Sequence, residues 1–358
     1  MKLRLILLFC PPLLLTGCVE TLILDELQFI HSVGYDYIDE DRVEGTASVP
    51  IYKMEEQVGS ETISAVASTS RDIRLELNAR SSKPLHSGKI SSILFSEEMA
   101  QKMGIMQILD SFSRDSAVGM RNFICITRDS PKKMLELSSP LEIDIAVYIK
   151  ELIEQNIERQ NIPQSNFHLF LKRYYEDGQD PFLPYLSLKG NTIQIEGVSL
   201  FQGDRYVGKL NLKEAFMMKI LLEPFANGTY EVSLPEEGEY AVLRNIHSKA
   251  HYHIERNTNT PAIKIVINFT GKLNEYSGEK LNEQKLTEIV ETLKQQLEND
   301  IVATIGLFQE KNIDPLGIGS RVKARNYGFK LDEWKAYYPN AKVDVTVNVK
   351  IKETGIRQ

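Results

Sequence analysis

Histidines, cysteines and clustered carboxylates are the groups in this sequence that could hold a metal or do covalent chemistry. His247, His251 and His253 lie close together, and on a strand His251 and His253 would share a face. Two imidazoles could begin a zinc site. No cysteine or carboxylate at fixed spacing completes the set, so they read as solvated strand histidines. Asp36, Asp39, Glu40 and Asp41 offer the oxygen ligands that calcium takes. The spacing of a calcium-binding loop is absent, and a solvated turn is the better reading. Cys125 sits in the apolar run Asn122-Phe123-Ile124-Cys125-Ile126 and reads as an inert core thiol. Gly317-Ile318-Gly319 lacks the third glycine of a dinucleotide turn. There is no Gly-x-Ser-x-Gly elbow, P-loop, His-Glu-x-x-His or Cys-x-x-Cys. The expectation is a non-enzyme with no catalytic residue, no metal and no cofactor. Tyr174-Tyr175, and Tyr337-Tyr338 near Trp334, fit contact aromatics and core packing equally well.

The composition is that of a globular body. The chain has 358 residues, 42 Lys+Arg against 49 Asp+Glu for a net charge of −7, 42% hydrophobic residues and 3 cysteines. The acidic balance argues against nucleic acid as a partner, and three cysteines are too few for a disulfide scaffold. No run of about 18 or more uncharged apolar residues is present to span a bilayer. The N-terminus adds something else. Met1-Lys2-Leu3-Arg4 is a short basic start, Leu5 to Leu15 is uncharged and apolar apart from Pro11-Pro12, and Leu15-Thr16-Gly17-Cys18 follows. That is the layout of a cleaved secretory signal, and its last four residues resemble the lipobox of bacterial lipoproteins. The resemblance implies that Leu15, Thr16 and Gly17 are read by a signal peptidase, that residues 1–17 are removed, and that Cys18 carries the diacylglyceryl and N-acyl groups. Several acyl chains hold a protein on a membrane stably where one does not. Cleavage removes Cys10, Lys2 and Arg4, leaving 40 cations against 49 anions, a net charge of −9. A body so acidic should not cling to anionic lipid by itself, so the anchor is expected to hold it.

The pattern beyond residue 18 gives strands and helices without a repeat. Leu27–Asp36 and Val43–Ile51 read as a hairpin, Glu55–Ser70 as a loop or helix lead-in, and Arg71–Ala79 as helix or strand. Ser96 followed by Glu97-Glu98 starts a helix, and Ser130-Pro131 starts another. Ile143–Ile157 is helical, Ser165 is expected to cap a helix through Tyr174, and Glu176–Pro184 reads as a linker. A hairpin at Gln202-Gly203-Asp204-Arg205 and a helix at Leu212–Leu222 follow. The clearest helix is Gln284–Lys311, with Leu286, Ile289, Leu293, Leu297, Ile301, Ile305 and Phe308 on one stripe suited to packing on a sheet. The clearest strand is Val343–Ile351, whose period-two alternation predicts an antiparallel strand with one face in water. The fold class is α+β and multi-domain, with antiparallel or mixed sheets and helices packed on them. The expected division is a signal peptide at 1–17, an N-terminal α+β region at 18–188 and a C-terminal one at 189–358. Subdivision of one half would give three domains in total.

The order of motifs resembles the C subunit of spore germinant receptors, the Ger(x)C lipoproteins of spore-forming Firmicutes, over nearly the whole chain after Cys18. The opening segment Glu26-Leu27-x-Phe29-Ile30-x-x-x-Gly34-Tyr35-Asp36 is similar to that family's first strand. His86, Ile90–Phe95, Glu97-Glu98-x-Ala100, Gly104-Ile105 and Arg114-Asp115 follow in its order. Gly197, Phe201, Val207-Gly208-x-Leu210 and Glu214 open its C-terminal region. Asp314-x-x-Gly317-x-Gly319, Trp334 and the Val343–Ile351 strand reaching Gly355 close it. Val19 departs from the tryptophan frequent there. The resemblance implies a non-enzymatic subunit, lipid-anchored on the outer face of the spore's inner membrane. It implies assembly with A and B membrane subunits, and a role in assembly or signal transmission when nutrients trigger germination. Two rivals belong to other classes. A solute-binding lipoprotein of an importer would need repeated βα units around a cleft, and an envelope hydrolase would need a nucleophile–base or metal set.

Overall fold

A computed structural model describes residues 23–52, 58–139, 143–236, 238–256, 258 and 260–354. Strands β1 (Gln28–Phe29), β2 (Ser32–Tyr37), β3 (Val43–Tyr52) and β4 (Val58–Ala67) come first, then helix α1 (Ser70–Arg80). Next are β5 (Leu85–His86), β6 (Ser92–Ser96), α2 (Glu97–Lys102), α3 (Met106–Arg114), β7 (Phe123–Thr127), α4 (Pro131–Leu135), α5 (Ile145–Glu158) and α6 (Phe167–Tyr175). The hairpin β8 (Phe182–Lys189) and β9 (Thr192–Gln202) leads to β10 (Arg205–Asn211), α7 (Leu212–Leu222), β11 (Phe225–Ser233), β12 (Tyr240–Ile254) and β13 (Ile263–Tyr276). The chain ends with α8 (Glu283–Glu310), α9 (Ile318–Lys323), α10 (Leu331–Tyr337) and β14 (Val343–Thr354). The fold is α+β, as the alternation of elements implied.

An eight-stranded sheet in the order β10-β9-β8-β7-β6-β2-β3-β4 forms the larger part. Its centre, β2-β6-β7-β8, is parallel and both wings are antiparallel. Parallel strands need covering on both faces, and β6 and β7 are accordingly buried at every position, with apolar side chains pointing both ways and Ser92, Ser96 and Thr127 at their ends. In β6, Ile93 and Phe95 point to one core and Leu94 to the other; in β7, Ile124 and Ile126 oppose Phe123 and Cys125. α1, α2, α3 and α6 cover the first face, and α4, α5 and α7 the second. The helices start where side chains satisfy their free amides. Ser96 caps α2, Ser130 caps α4 with Pro131 behind it, and Asp144 accepts from Ala146 N at 2.7 Å to cap α5.

α7 is buried around its whole circumference from Ala215 through Leu221, between the large sheet and the second, four-stranded sheet β11-β12-β13-β14. Lys219 is buried with them, and its ammonium donates to Ile162 O at 2.9 Å and pairs with Glu223 at 2.6 Å. α8 lies along the second sheet, with Ile289, Leu293, Leu297, Ile301 and Phe308 fully buried as the stripe predicted. The other face of this sheet is open to solvent.

Four local readings differ from the structure. The Glu55–Ser70 segment contains the edge strand β4, with Ala65 buried and Ser64 bonded to Thr46 at 2.9 Å. An edge strand is half solvated, so its polar composition hid it. The helix toward Tyr174 is capped by Asn166, which accepts from Leu169 N at 2.9 Å. Ser165 donates instead to Phe182 O. Pro184 lies inside β8 and not in a linker. β14 pairs with β13 in parallel, since α8 intervenes and carries the chain back to the same end of the sheet.

Candidate functional site

Leu15, Thr16, Gly17 and Cys18 lie outside the described residues. Cys125 is fully buried in β7, and burial pushes its thiol well above the ordinary range, which leaves little thiolate to react. Asp36 is tied down by Ser130 Oγ at 3.0 Å and Lys132 N at 3.1 Å, while Asp39 pairs with Arg42 at 2.6 Å. His251 and His253 are exposed on one face of β12. Among the described residues, no group of three or more His, Cys, Asp or Glu side chains is placed to hold a metal.

The densest polar arrangement is where the C-terminal segment returns to the large sheet. After α8 the chain turns through Asn312, at a φ of 50°, into Asp314-Pro315-Leu316-Gly317. The Asp314 carboxylate accepts from Ile318 N at 3.0 Å and Gly319 N at 2.7 Å, fixing the start of α9. Its backbone amide donates to Asp180 Oδ2 at 2.8 Å, and the Asp180 amide donates back to Asp314 O at 2.9 Å. The second oxygen of Asp180 accepts from Gly203 N, at the tip of the β9–β10 hairpin, at 3.2 Å. Three separated segments, 178–180, 202–203 and 314–320, are thereby held on two carboxylates.

The glycines of this knot are there for closeness. A Cβ on Gly319 would lie 2.3 Å from Trp334 Nε1, and one on Gly178 would lie 2.6 Å from the Gly319 carbonyl carbon. Ser320 N donates to Gly178 O at 3.0 Å. Burial raises both carboxyls. Asp314 is pushed up to about 7, with the Asp180 charge adding to burial and the backbone amides opposing it. Asp180 moves the same way, with burial the largest cause. The Tyr338 hydroxyl is buried beside them without a hydrogen bond among the described residues, and Trp334 and Tyr338 pack as core, with tilted rings whose centroids lie 5.3 Å apart. A cleft of about 160 Å³ opens above the knot between Glu176, Asp177, Gln202, Asn312 and Lys335. Lys323 of α9 bridges Glu176 at 3.3 Å and Asp177 at 3.1 Å across its rim. Lys311 donates to Val207 O at 3.1 Å, adding a further tie to β10.

A second cleft, of about 180 Å³, lies between α1, α3 and the large sheet. Val33, Tyr35, Ile73, Leu77 and Phe112 line it. At its mouth Asp115 accepts from Ser87 Oγ at 2.6 Å and pairs with Arg74 at 3.0 Å. Of the Arg114-Asp115 motif, Asp115 is therefore the anchored member, while Arg114 is exposed and pairs within α3 with Asp110. The sequence marked Asp314, Gly317, Gly319 and Trp334. It did not mark Asp180 or Lys219, whose roles depend on partners far along the chain, Asp314 and Ile162, as well as nearer ones; Gly178 was covered only as part of the Glu176–Pro184 segment.

Fold and knot together define an α+β protein built on two large sheets, whose buried carboxylates Asp180 and Asp314 bind its own segments to one another. Residues 21–188 match the family model described as "Spore germination protein N-terminal domain". Residues 196–355 match the one described as "Spore germination B3/ GerAC like, C-terminal". The chain belongs to this family of spore germination proteins. It is 28% identical to "Spore germination protein GerQC" of Bacillus cereus over 96% of both chains. It is 23% identical to "Putative spore germination protein YfkR" of Bacillus subtilis (strain 168) over 98% of this chain and 95% of the other. The crystal structure of the GerBC protein superposes with a TM-score of 0.55 at 14% identity, covering 88% of this chain and 96% of that one, which supports the shared fold.

Proposed function

We propose that this protein is the lipid-anchored, non-catalytic C subunit of a nutrient germinant receptor. In this reading Cys18 carries the acyl groups and holds the body on the outer face of the spore's inner membrane. The A and B membrane subunits bind it there, and it contributes assembly or signal transmission. The observation that carries the reading is the match of both family models, in order, across nearly the whole chain after Cys18. The structure is in keeping with a mechanical role. α7 is wedged between the two sheets, and the Asp180–Asp314 knot ties the C-terminal segment to the hairpin of the large sheet. A load applied to one sheet would therefore pass to the other.

Cys18→Ala tests the reading. The expected outcome is loss of acylation, measured by mass spectrometry of the membrane fraction, and loss or weakening of germination toward one class of nutrient. Co-purification of the two membrane subunits with the tagged wild-type protein is expected alongside. Full germination in a strain lacking this gene and its paralogues would refute it.

A further inference from the structure

The net charge of −7 is unevenly spread. α7 and α8 cover one face of the four-stranded sheet, and the other face carries the opposite sign. Strand register sets the rows: His253, Lys264 and Asp344 stand side by side, then His251, Val266 and Thr346, then Lys249, Asn268 and Asn348, then His247, Thr270 and Lys350. Residues directly opposite in neighbouring strands point to the same side. The surface continues around the end of β12, where Arg256, Lys264 and Arg325 border one broad open cleft. Lys249, Arg256, Lys264, Arg325, Lys350 and Lys352 make no ion pair among the described residues. Of the acids on or beside this face, Asp344 pairs with Lys342 at 3.2 Å, Glu275 with Arg244 at 3.5 Å, and Glu255 accepts from Ala262 N at 3.2 Å, while Glu231 sits exposed on the β11 edge, away from the lysine rows. Beyond Arg325, Tyr327 projects fully into solvent next to Arg256.

We propose that this open sheet face, with its Tyr327 rim, docks on an anionic lipid bilayer. A protein partner would call for aromatic or aliphatic anchors at the centre of the surface and for few lysines. Here the centre is Lys, His, Asn and Thr around a single half-buried aliphatic, Val266, and the exposed large aromatic on the cationic rim is Tyr327. A layer of phosphate headgroups needs no anchor pockets. Each dispersed Lys or Arg near such a layer is worth about 1 kcal/mol, roughly fivefold in partition. A tyrosine at the rim suits the headgroup depth, with its ring toward the acyl boundary and its hydroxyl in water. The acidic remainder of the molecule would be repelled, so the two signs together orient the body. The inference stands on the charge map and does not require acylation of Cys18. If Cys18 is acylated, residues 18–22 span at most ~18 Å and keep the body within reach of the bilayer.

The test uses residues 18–358 with Cys18→Ser, which retains every described element and removes any acyl chain. Sedimentation is measured with vesicles of phosphatidylcholine alone and with vesicles that also contain phosphatidylglycerol, at low salt and at about 0.15 M salt. Binding is expected only with phosphatidylglycerol and should weaken as salt rises. The triple variant Lys249→Glu/Lys264→Glu/Lys350→Glu should lose at least ~100-fold in partition, and Tyr327→Ala should lose less. Reversals at exposed positions of the large-sheet half, Lys133→Glu/Arg159→Glu/Lys189→Glu, should change partition by less than about threefold; all variants should unfold at the wild-type temperature. Equal losses in both triple variants would overturn the proposal. So would binding to neutral vesicles, or no vesicle binding with retention on polyglutamate, which would assign the face to an acidic protein.

Discussion

Replacing Asp314 by Asn isolates the electrostatics of the knot. In the folded protein the Asp314 carboxyl is pushed from 3.8 up to about 7, mainly because it is fully buried. Between those two values the folded state holds a proton that the unfolded chain has released, so stability falls as pH rises. The contribution is complete below about pH 4, is lost progressively as pH climbs through 7, and is flat above that. Each unit inside the window is worth about 1.4 kcal/mol, so raising the pH from about 5 to about 7 removes roughly 2–3 kcal/mol through this one group. Asp36 and Asp180, also raised by burial, act with the same sign. Asp115 and Glu196 are held low by their hydrogen bonds and ion pairs, and they lose stability as pH falls instead. These contributions are largely shared by wild type and variant. The difference between the two unfolding curves, measured by urea titration at several pH values, should therefore shrink by roughly 2–3 kcal/mol over that window. At about 1–2 °C per kcal/mol for a chain of this length, the gap in thermal midpoint should change by roughly 2–6 °C. Parallel curves for wild type and Asp314→Asn across the window would refute the reasoning, since they would mean that the carboxyl titrates as it does in the unfolded chain.

Gly319→Ala places a methyl 2.3 Å from Trp334 Nε1, and overpacking of this kind should destabilise by about 1–3 kcal/mol. The chain has a single tryptophan, so a red shift of intrinsic fluorescence at unchanged secondary structure should report its displacement, and an unshifted spectrum would count against the close packing. Cys125, buried and with its thiol raised, should react with a thiol reagent only as the protein unfolds; rapid labelling of the native protein would show that the second face of the large sheet is open.

Local signals in the sequence located most elements. Ser96 and Ser130-Pro131 set helix starts through bonds spanning three residues. The stripe from Ile289 to Phe308 fixed both the length and the buried side of α8. The alternation of Val343 to Ile351 fixed which side of β14 faces the core, but not its direction, because direction depends on the connection and the side-chain period does not. β4 was missed because an edge strand needs only one apolar face, and the Glu176–Pro184 punctuation was read as a linker although it leads directly into a buried strand.

Side-chain chemistry divides along the same line. The sequence by itself determined that a turn at Asp314-Pro315-Leu316-Gly317 follows α8 and that Cys125 belongs to an apolar strand. The physics of each is contained in a few neighbouring residues. Only the tertiary structure decided that Asp180 joins Asp314 to Gly203 across separated segments, that Lys219 is buried, and that the lysines of three strands and the histidines of β12 gather on one open face. Burial and register are properties of the assembled sheet. A charge total of −7 is the same however its charges are arranged, whereas attraction to a surface depends on which side they share.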